Sequence, residues 1–269
     1  MRSPTVREPA VAGSFYPSDA GVLRDTVDAL LADAASSRVS TPKAIAVPHA
    51  GYVYSGAVAA TAYALVARMR DTITRVIVIG PNHRVAVRGI ALAGVQRFAT
   101  PLGLVSVPEA WALARLSALP TVCVSPEAHR WEHSVEVQLP FIQRALGDVD
   151  VIPLLAGDTN GDEVADVLDA LWGGPETLIV ISTDLSHYLP DHEARQTDAA
   201  TIARILALDG PIDHAHACGA TALNGLLTAA RRHGLHPIVL DARNSSDTAG
   251  DPDRVVGYCA VAFEEAPHA

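Results

Sequence analysis

The sequence contains few cysteines and almost no lysine. Its 269 residues include three widely spaced cysteines, Cys123, Cys218 and Cys259, and this odd count excludes the cysteine framework of a small secreted protein. Lys43 is the only lysine, and the arginines are scattered along the chain. Because the net charge is −10 and no positive stripe is present to contact phosphates, nucleic acid is not an expected partner.

Long apolar runs are also lacking. The longest weakly polar run, Gly56–Ala67, is well short of the roughly 20 residues that cross a bilayer. The first sixteen residues include Arg2, Arg7 and Glu8 and no continuous apolar stretch of the kind a signal peptide requires. The sequence therefore predicts a cytoplasmic protein without a membrane span, in which each cysteine is free for packing or chemistry.

What the chain does have is an alternation of short β-branched runs with longer Ala/Leu segments of helical period. It is 49% hydrophobic, is long enough to bury a large core, and has no linker or repeat to divide it, so we expect a single domain over residues 1–269. Continuously apolar runs such as Val76–Ile79 and Leu178–Ile181 are typical of central strands with helices on both faces. The expected fold class is α/β, a three-layer sandwich with a mostly parallel central mixed sheet, and Gly89–Val107 predicts an added antiparallel β-hairpin.

The periodicity defines the individual elements. The predicted strands are Ala44–Val47, Arg75–Ile79, Gly89–Ala93, Val122–Val124, Val149–Leu155, Thr177–Ile181, Pro237–Leu240 and Val255–Phe263. The predicted helices are Leu23–Ala35, Gly56–Met69, Pro108–Leu116, Val135–Leu146, Asp162–Leu171, Glu193–Leu208 and His214–His233.

A histidine follows each of three predicted strands within a few residues. These strands are Ala44–Val47, Arg75–Ile79 and Thr177–Ile181. In open α/β sheets, ligands bind outside the carboxyl ends of the strands, so polar groups at these positions converge although they are far apart in the sequence. We therefore expect one pocket to contain His49, His83, Asp184 and His187.

Two imidazoles with a carboxylate or thiolate form a site for a redox or Lewis-acid metal, since imidazole suits iron, copper and zinc. A structural or acid/base cluster is the alternative. Cys218 is the candidate thiolate because it lies near the start of the predicted helix His214–His233, where the helix N-terminus would lower the pKa of its thiol. Ordinary core packing is the alternative for this cysteine. His133 is a further candidate for the pocket.

Several sequence blocks, in order over nearly the whole chain, carry a family resemblance. They are Arg7–Pro17, Pro48–Tyr52 with Tyr54–Gly56, Gly80–His83, Glu132–Glu136 with Leu139–Pro140, Ser182–Tyr188, and Cys218–Gly219. With these blocks the sequence resembles the Memo family, the group labelled protein B of the AmmeMemoRadiSam system of bacteria and archaea. That family is similar in fold to the LigB-type class III extradiol dioxygenases, which are non-haem iron enzymes.

The resemblance implies roles for the candidate residues. His49 and His83 match the two imidazole ligands, and Cys218 stands where the dioxygenases have a carboxylate. A thiolate also favours copper(I) and zinc, so the implied cofactor is Fe(II), with copper or zinc as alternatives. The implied catalytic residues are His187 as the acid/base, Asp184 beside it and His133 in the pocket.

The resemblance implies a metal-dependent oxidoreductase of the dioxygenase-like class, acting on a small molecule or a peptide. Three alternatives stay open at this point. One is a non-catalytic binding or adaptor module that recognises phosphopeptides, although a net charge of −10 is a poor attractor for them. Another is an accessory protein that works with a radical-SAM partner and with protein A of the same system. The third is zinc-dependent hydrolysis, since two histidines and a thiolate form a known catalytic zinc set.

Overall fold

Strands of the described residues join into one mixed sheet in the computed structural model, which describes residues 6–34 and 41–265. Two positions named in the sequence analysis, Arg2 and Ala35, lie outside this part of the chain. The strands are β1 Val6–Arg7, β2 Pro42–Val47, β3 Arg75–Pro81, β4 Ile90–Leu92, β5 Arg97–Thr100, β6 Gly103–Ser106, β7 Val122–Val124, β8 Asp150–Ala156, β9 Thr177–Ser182, β10 His187–Leu189, β11 Leu235–Asn244 and β12 Val255–Glu265.

The centre of the sheet is parallel. Strands β8, β3, β9 and β2 lie side by side in that order. Towards one edge the sheet continues through β6, β5 and β1, and beyond β2 it continues into the antiparallel β12, which also pairs with β10 and β11. Strand β4 pairs with β7 and with β8. The mixed sheet with a parallel centre confirms the predicted fold class.

Helices cover both faces of this sheet. They are α1 Ala20–Asp33, α2 Tyr52–Val66, α3 Glu109–Leu116, α4 Pro126–Arg130, α5 Leu139–Leu146, α6 Gly161–Leu171, α7 Asp191–Leu206 and α8 Ala220–His233, with 3₁₀ turns at Ala67–Met69, Glu136–Gln138 and Ser245–Asp247. Within residues 6–34 and 41–265, none of the helices has the length and apolarity needed to cross a membrane.

Side chains alternate between two cores along each central strand, as the pleat requires. In β3, Val76 and Val78 pack with residues of α1, α2 and α5 on one face. Ile77 and Ile79 of the same strand pack with residues of α6 and α8 on the other. Because both faces are covered, the middle positions of these strands are apolar without alternation, which is why the sequence identified them.

The predicted hairpin is confirmed over residues 97–106 of its predicted range Gly89–Val107, whereas β4 in that range pairs with β7 and β8. The start of the last predicted helix is wrong. Strands β5 and β6 pair antiparallel around a turn at Thr100–Gly103. Helix α8 begins at Ala220 and not at His214. The Asp213 carboxylate accepts a hydrogen bond from the N–H of Ala215 at 2.7 Å, which closes a separate turn. Cys218 therefore precedes the helix.

The only lysine is a structural residue. Lys43 in β2 is 7% exposed. Its Nζ donates to the carbonyl oxygens of Trp172, Gly174 and Thr177 at 2.6, 2.8 and 2.8 Å. Burial lowers the pKa of Lys43 to about 8. Its three donated bonds fix the turn that leads into β9, whose far end carries site residues.

Candidate metal centre

The candidate site lies at the carboxyl ends of the central parallel strands. His49 follows β2, His83 follows β3, and Asp184 follows β9. The ring centroids of His49 and His83 are 5.4 Å apart, although the two residues come from separate loops. The His133 ring lies 5.4 Å from His49 and 4.8 Å from His83. The fold thus brings three histidine rings into one cluster.

His49 is buried at the centre of this cluster and is neutral at ordinary pH. Its exposed fraction is 2%, and burial lowers its pKa to about 4 against the opposing charge of Asp184. Its backbone N–H donates to Asp184 Oδ1 at 2.7 Å. A neutral imidazole retains one nitrogen lone pair, so His49 is chemically able to coordinate a cation.

The hydrogen bonds of Ser182 determine which nitrogen of His49 carries that lone pair. Ser182 Oγ donates its one proton to the carbonyl of Ser134 at 2.6 Å. The same oxygen must then accept from Gln138 Nε2 at 2.9 Å and from His49 Nδ1 at 3.0 Å. With Nδ1 protonated, the lone pair resides on His49 Nε2. That atom faces Cys218 Sγ at 3.2 Å.

Cys218 lies between His49 and the loop after β9. The backbone N–H of Asp184 lies 3.3 Å from Cys218 Sγ. The next residue, Gly219, crosses the end of β9 so closely that a Cβ would lie 2.7 Å from the Ser182 carbonyl oxygen and 2.6 Å from Thr183 Cβ. Only glycine fits such an approach. The Cys218–Gly219 pair therefore places sulfur at the cluster.

The expected low pKa of the Cys218 thiol is wrong for the metal-free chain. Burial, followed by the nearby Asp184 carboxylate, raises the pKa to about 12. Because α8 begins at Ala220, the cysteine lies outside the first helical turn, where the helix dipole would be strongest. The thiol is thus protonated at neutral pH, and a metal ion would have to displace its proton.

Glu132 organises the other side of the cluster, although it is not among the predicted site residues. Its Oε1 accepts from the ring Nδ1 of His83 at 2.9 Å, and its Oε2 accepts from the backbone N–H of the same residue at 2.6 Å. The N–H groups of His133 and Ser134 donate to Oε1 at 2.8 and 2.9 Å. Burial would raise the pKa of Glu132, but its contacts with the His133 and His83 rings and the backbone hold it well below its usual range.

The Glu132 carboxylate fixes the protonation of the His83 ring as Ser182 does for His49. An ionised carboxylate only accepts hydrogen bonds, so His83 Nδ1 must carry the proton. The lone pair is then on His83 Nε2. A buried carboxylate behind a histidine is also the usual partner of a metal-binding imidazole. A signal was available in the sequence, since Glu132 directly precedes His133.

The donor atoms fit a metal ion in two overlapping sets. His49, His83 and His133 offer ring nitrogens within 4.8 Å of one another, and so do the ligand atoms of His49, Asp184 and Cys218. His49 belongs to both sets, whereas His83 belongs only to the first and Cys218 only to the second. In addition, the buried Nδ1 of His133 has no hydrogen-bond partner among the described residues, although Glu132 Oε1 lies 3.2 Å away. Such a site supplies the nitrogen, oxygen and sulfur ligands that transition metals bind.

His187 lies after the same strand end but belongs to neither set. Its Nδ1 donates to the carbonyl of Leu185 at 2.9 Å, and its ring contacts Tyr188 with centroids 5.6 Å apart. None of its contacts within the described ranges joins it to His49 or His83. Its acid/base role stays a prediction.

A buried ion pair supports the loop that carries Glu132 and His133. Arg7 in β1 forms a salt bridge with Glu136 and donates to the carbonyl oxygens of His129 and Glu132. Glu136 also accepts from the N–H groups of residues 10 and 11 and from the Tyr16 hydroxyl. The N-terminal segment and the site loop are therefore held together by one polar network.

Known proteins are similar to this chain over nearly its full length. The family described as Memo-like protein matches residues 7–262. A MEMO1 family protein of Aquifex aeolicus is 34% identical over 270 residues, covering 96% of this chain and 99% of the relative. Similar relatives of the same name occur in Methanococcoides burtonii, 35% identical over 95% of this chain and 99% of the relative, and in Sulfolobus acidocaldarius, 32% identical over 96% and 99%. The match spans every strand end that contributes to the cluster, and this chain belongs to the Memo family.

Proposed function

We propose that this chain is a metal-dependent oxidoreductase of the non-haem, dioxygenase-like class, with Fe(II) as its metal. The observation that carries the proposal is the orientation of two imidazoles. His49 Nδ1 donates its proton to Ser182 Oγ, and His83 Nδ1 donates its proton to the Glu132 carboxylate. Both rings therefore direct an Nε2 lone pair away from their supporting groups.

His49, which belongs to both donor sets, would hold the metal with His83 of one set and Cys218 of the other. The sulfur of Cys218 lies 3.2 Å from His49 Nε2. When bound, the metal would supply redox chemistry toward oxygen and a reduced substrate. Asp184 holds the backbone of His49 through a 2.7 Å hydrogen bond. His187, with Nδ1 bound to a carbonyl, retains a second nitrogen that exchanges protons with a substrate, and His133 lines the pocket.

The thiol supports copper and zinc as alternative metals, because sulfur is a softer ligand than the carboxylate it replaces. Zinc would imply hydrolysis rather than redox chemistry. Elemental analysis of protein purified without an affinity tag separates these cases. Oxygen uptake with catechols and other reductants then tests turnover by the metal-loaded protein.

His83→Ala tests the assignment of the ligands. We expect this variant to lose retained metal while it keeps the wild-type circular dichroism spectrum, because the His83 side chain is 31% exposed and contributes little to the core. His236→Ala is the matched control, since His236 is an exposed histidine on β11. Metal content that is unchanged in His83→Ala, or absent from the wild-type protein, contradicts the proposal.

A further inference from the structure

A cavity of about 590 Å³ opens beside His83. Its walls come from the loop between β3 and β4 and from residues 157 and 158 after β8. This volume is in the range of cavities that bind small organic molecules. His83 is part of the wall and also part of the histidine cluster, where its ring lies 4.8 Å from that of His133. A molecule in the cavity would therefore contact the candidate metal centre.

Two arginines line this cavity without a partner. Arg84 and Arg88 are both exposed. Across the two described ranges, neither guanidinium has an ion pair, a side-chain hydrogen bond or a ring contact. By contrast, Arg144 and Arg232 bind carboxylates at 2.7 and 2.5 Å. What sets Arg84 and Arg88 apart is that they line the same cavity, so one ligand is able to bind both guanidinium groups.

The charge of the wall favours an anion. Asp158 is the one carboxylate among its lining residues, and it forms no ion pair within 4.0 Å with either arginine. The cavity wall thus carries two guanidinium groups and one carboxylate, in a molecule whose net charge is −10. A local positive wall of this kind attracts and orients anions against the average field of the protein.

The loop that carries the arginines is fixed before any ligand binds. Gly89 N–H donates to the Asp158 carbonyl at 2.9 Å, and Asp158 N–H donates to the Val87 carbonyl at 2.7 Å. Gly157 N–H donates to the Gly89 carbonyl at 3.0 Å. A wall held by backbone hydrogen bonds loses little conformational entropy when it binds a ligand.

We infer that this cavity binds a small organic anion, with Arg84 and Arg88 holding its acidic group. Guanidinium forks match the paired oxygens of both carboxylate and phosphate. Val85, Ala86 and Val87 line the same cavity and would contact the apolar body of the ligand. We further assign this anion as the substrate. This assignment rests on the proposed function, which places the metal at His83.

Calorimetric titration with three simple probes tests the inference. Benzoate and phenyl phosphate carry the two candidate acidic groups, and benzamide is the uncharged counterpart of benzoate. We expect at least one anion to bind, and benzamide to bind about tenfold more weakly or worse, because a hydrogen bond to a charged group is lost. Binding of the anion should weaken as salt is added. Binding of benzamide as tight as that of the better anion, or no binding of either anion, overturns the inference.

Paired variants then test the two arginines. Arg84→Gln combined with Arg88→Gln should weaken anion binding by about tenfold or more, and each single variant should show part of the loss. Arg97→Gln is the matched control, since Arg97 is an exposed arginine on β5 that also has no side-chain partner in the described residues. Wild-type affinity in the double variant, or an equal loss in Arg97→Gln, overturns the assignment.

The same titrations on metal-free and metal-loaded protein keep the two proposals separate. Anion binding that needs the arginines in a protein that retains no metal supports the cavity and refutes the oxidoreductase. Metal retention with no arginine-dependent binding refutes the cavity and leaves the oxidoreductase standing. Thermal unfolding of each variant verifies that the loop substitutions leave the fold intact.

Discussion

At the scale of single residues, the candidate site depends on groups that bind no metal themselves. Glu132 and Ser182 each hold the Nδ1 side of one histidine, and both are buried. Supporting residues of this type fix the ring orientation and the tautomer of a ligand. Their substitution should therefore alter metal affinity even though the ligands remain.

Glu132→Gln should lower metal affinity by about 10- to 100-fold, the usual effect of losing such a supporting carboxylate. The amide nitrogen cannot accept, so some of the N–H donors of His83, His133 and Ser134 lose their acceptor. Competition with a chelator measures the dissociation constant. Glu127→Gln is the control, because Glu127 on α4 is 66% exposed and has only a 3.8 Å contact with Arg130. Equal affinity in the two variants would refute the role of Glu132.

The sequence predicted the side chains that meet at the sheet edge better than the groups that support them. His49, His83 and Asp184 follow apolar parallel strands, and the carboxyl ends of such strands meet by topology. Glu132 lies in an irregular loop whose path depends on tertiary bonds, among them the one from Arg7 to its carbonyl at 2.6 Å. No local periodicity reveals such a contact.

At the scale of elements, the short strand β1 anchors the site loop. Arg7 connects it to the 3₁₀ turn Glu136–Gln138 through a salt bridge with side chains that are 5% and 0% exposed. Removing one partner of a buried pair leaves an uncompensated charge in the interior. Replacing Arg7 or Glu136 alone should therefore lower the free energy of unfolding strongly.

Arg7→Met should lower the free energy of unfolding by about 3 kcal/mol or more, because the buried Glu136 carboxylate would lose its cationic partner. Urea denaturation followed by circular dichroism measures this loss. Arg232→Met provides the comparison. Its salt bridge between α8 and α6 involves side chains that are 40% and 34% exposed, so its loss should cost less than about 1 kcal/mol. Similar losses in both variants would contradict the assignment.

Elements with two buried faces were predictable, and half-exposed elements were less so. Strand β9 differs by one residue from its prediction, Thr177–Ile181. Strand β11 was predicted as Pro237–Leu240 but extends over Leu235–Asn244, because it is partly exposed and changes register between Val239 and Asp241. A bulge interrupts the alternation that identifies a strand in sequence.

At the scale of the whole molecule, buried neutral histidines make stability depend on pH. His129 is 2% exposed and its Nε2 contacts the Ala91 carbonyl at 2.9 Å. Burial lowers its pKa to about 4. The unfolded chain binds a proton at this residue below about pH 6.5, whereas the folded chain binds it only near pH 4. The contribution of His129 to the free energy of unfolding is therefore fully present above pH 6.5 and is lost as the pH decreases towards 4.

Proton binding by His129 in the unfolded chain should lower the free energy of unfolding by about 3 kcal/mol between pH 6.5 and pH 4. Urea denaturation of metal-free protein at several pH values measures the slope, and metal removal prevents ligand release from contributing. His129→Gln should be less stable at neutral pH but show a smaller decrease on acidification. An identical pH slope in wild type and variant would contradict this prediction, because it would mean that His129 binds its proton at the same pH in the folded and the unfolded chain.

The enclosure of Lys43 has a practical consequence for chemical labelling. Lys43 carries the sole ε-amine of this chain. This amine donates to three carbonyl oxygens, and the residue is 7% exposed. Acylating reagents and amine-directed cross-linkers should find no reactive lysine until the protein unfolds. The appearance of a modified Lys43 in peptide mass spectra would then report unfolding of the turn before β9, in a protein that otherwise requires carboxylate- or arginine-directed reagents for surface mapping.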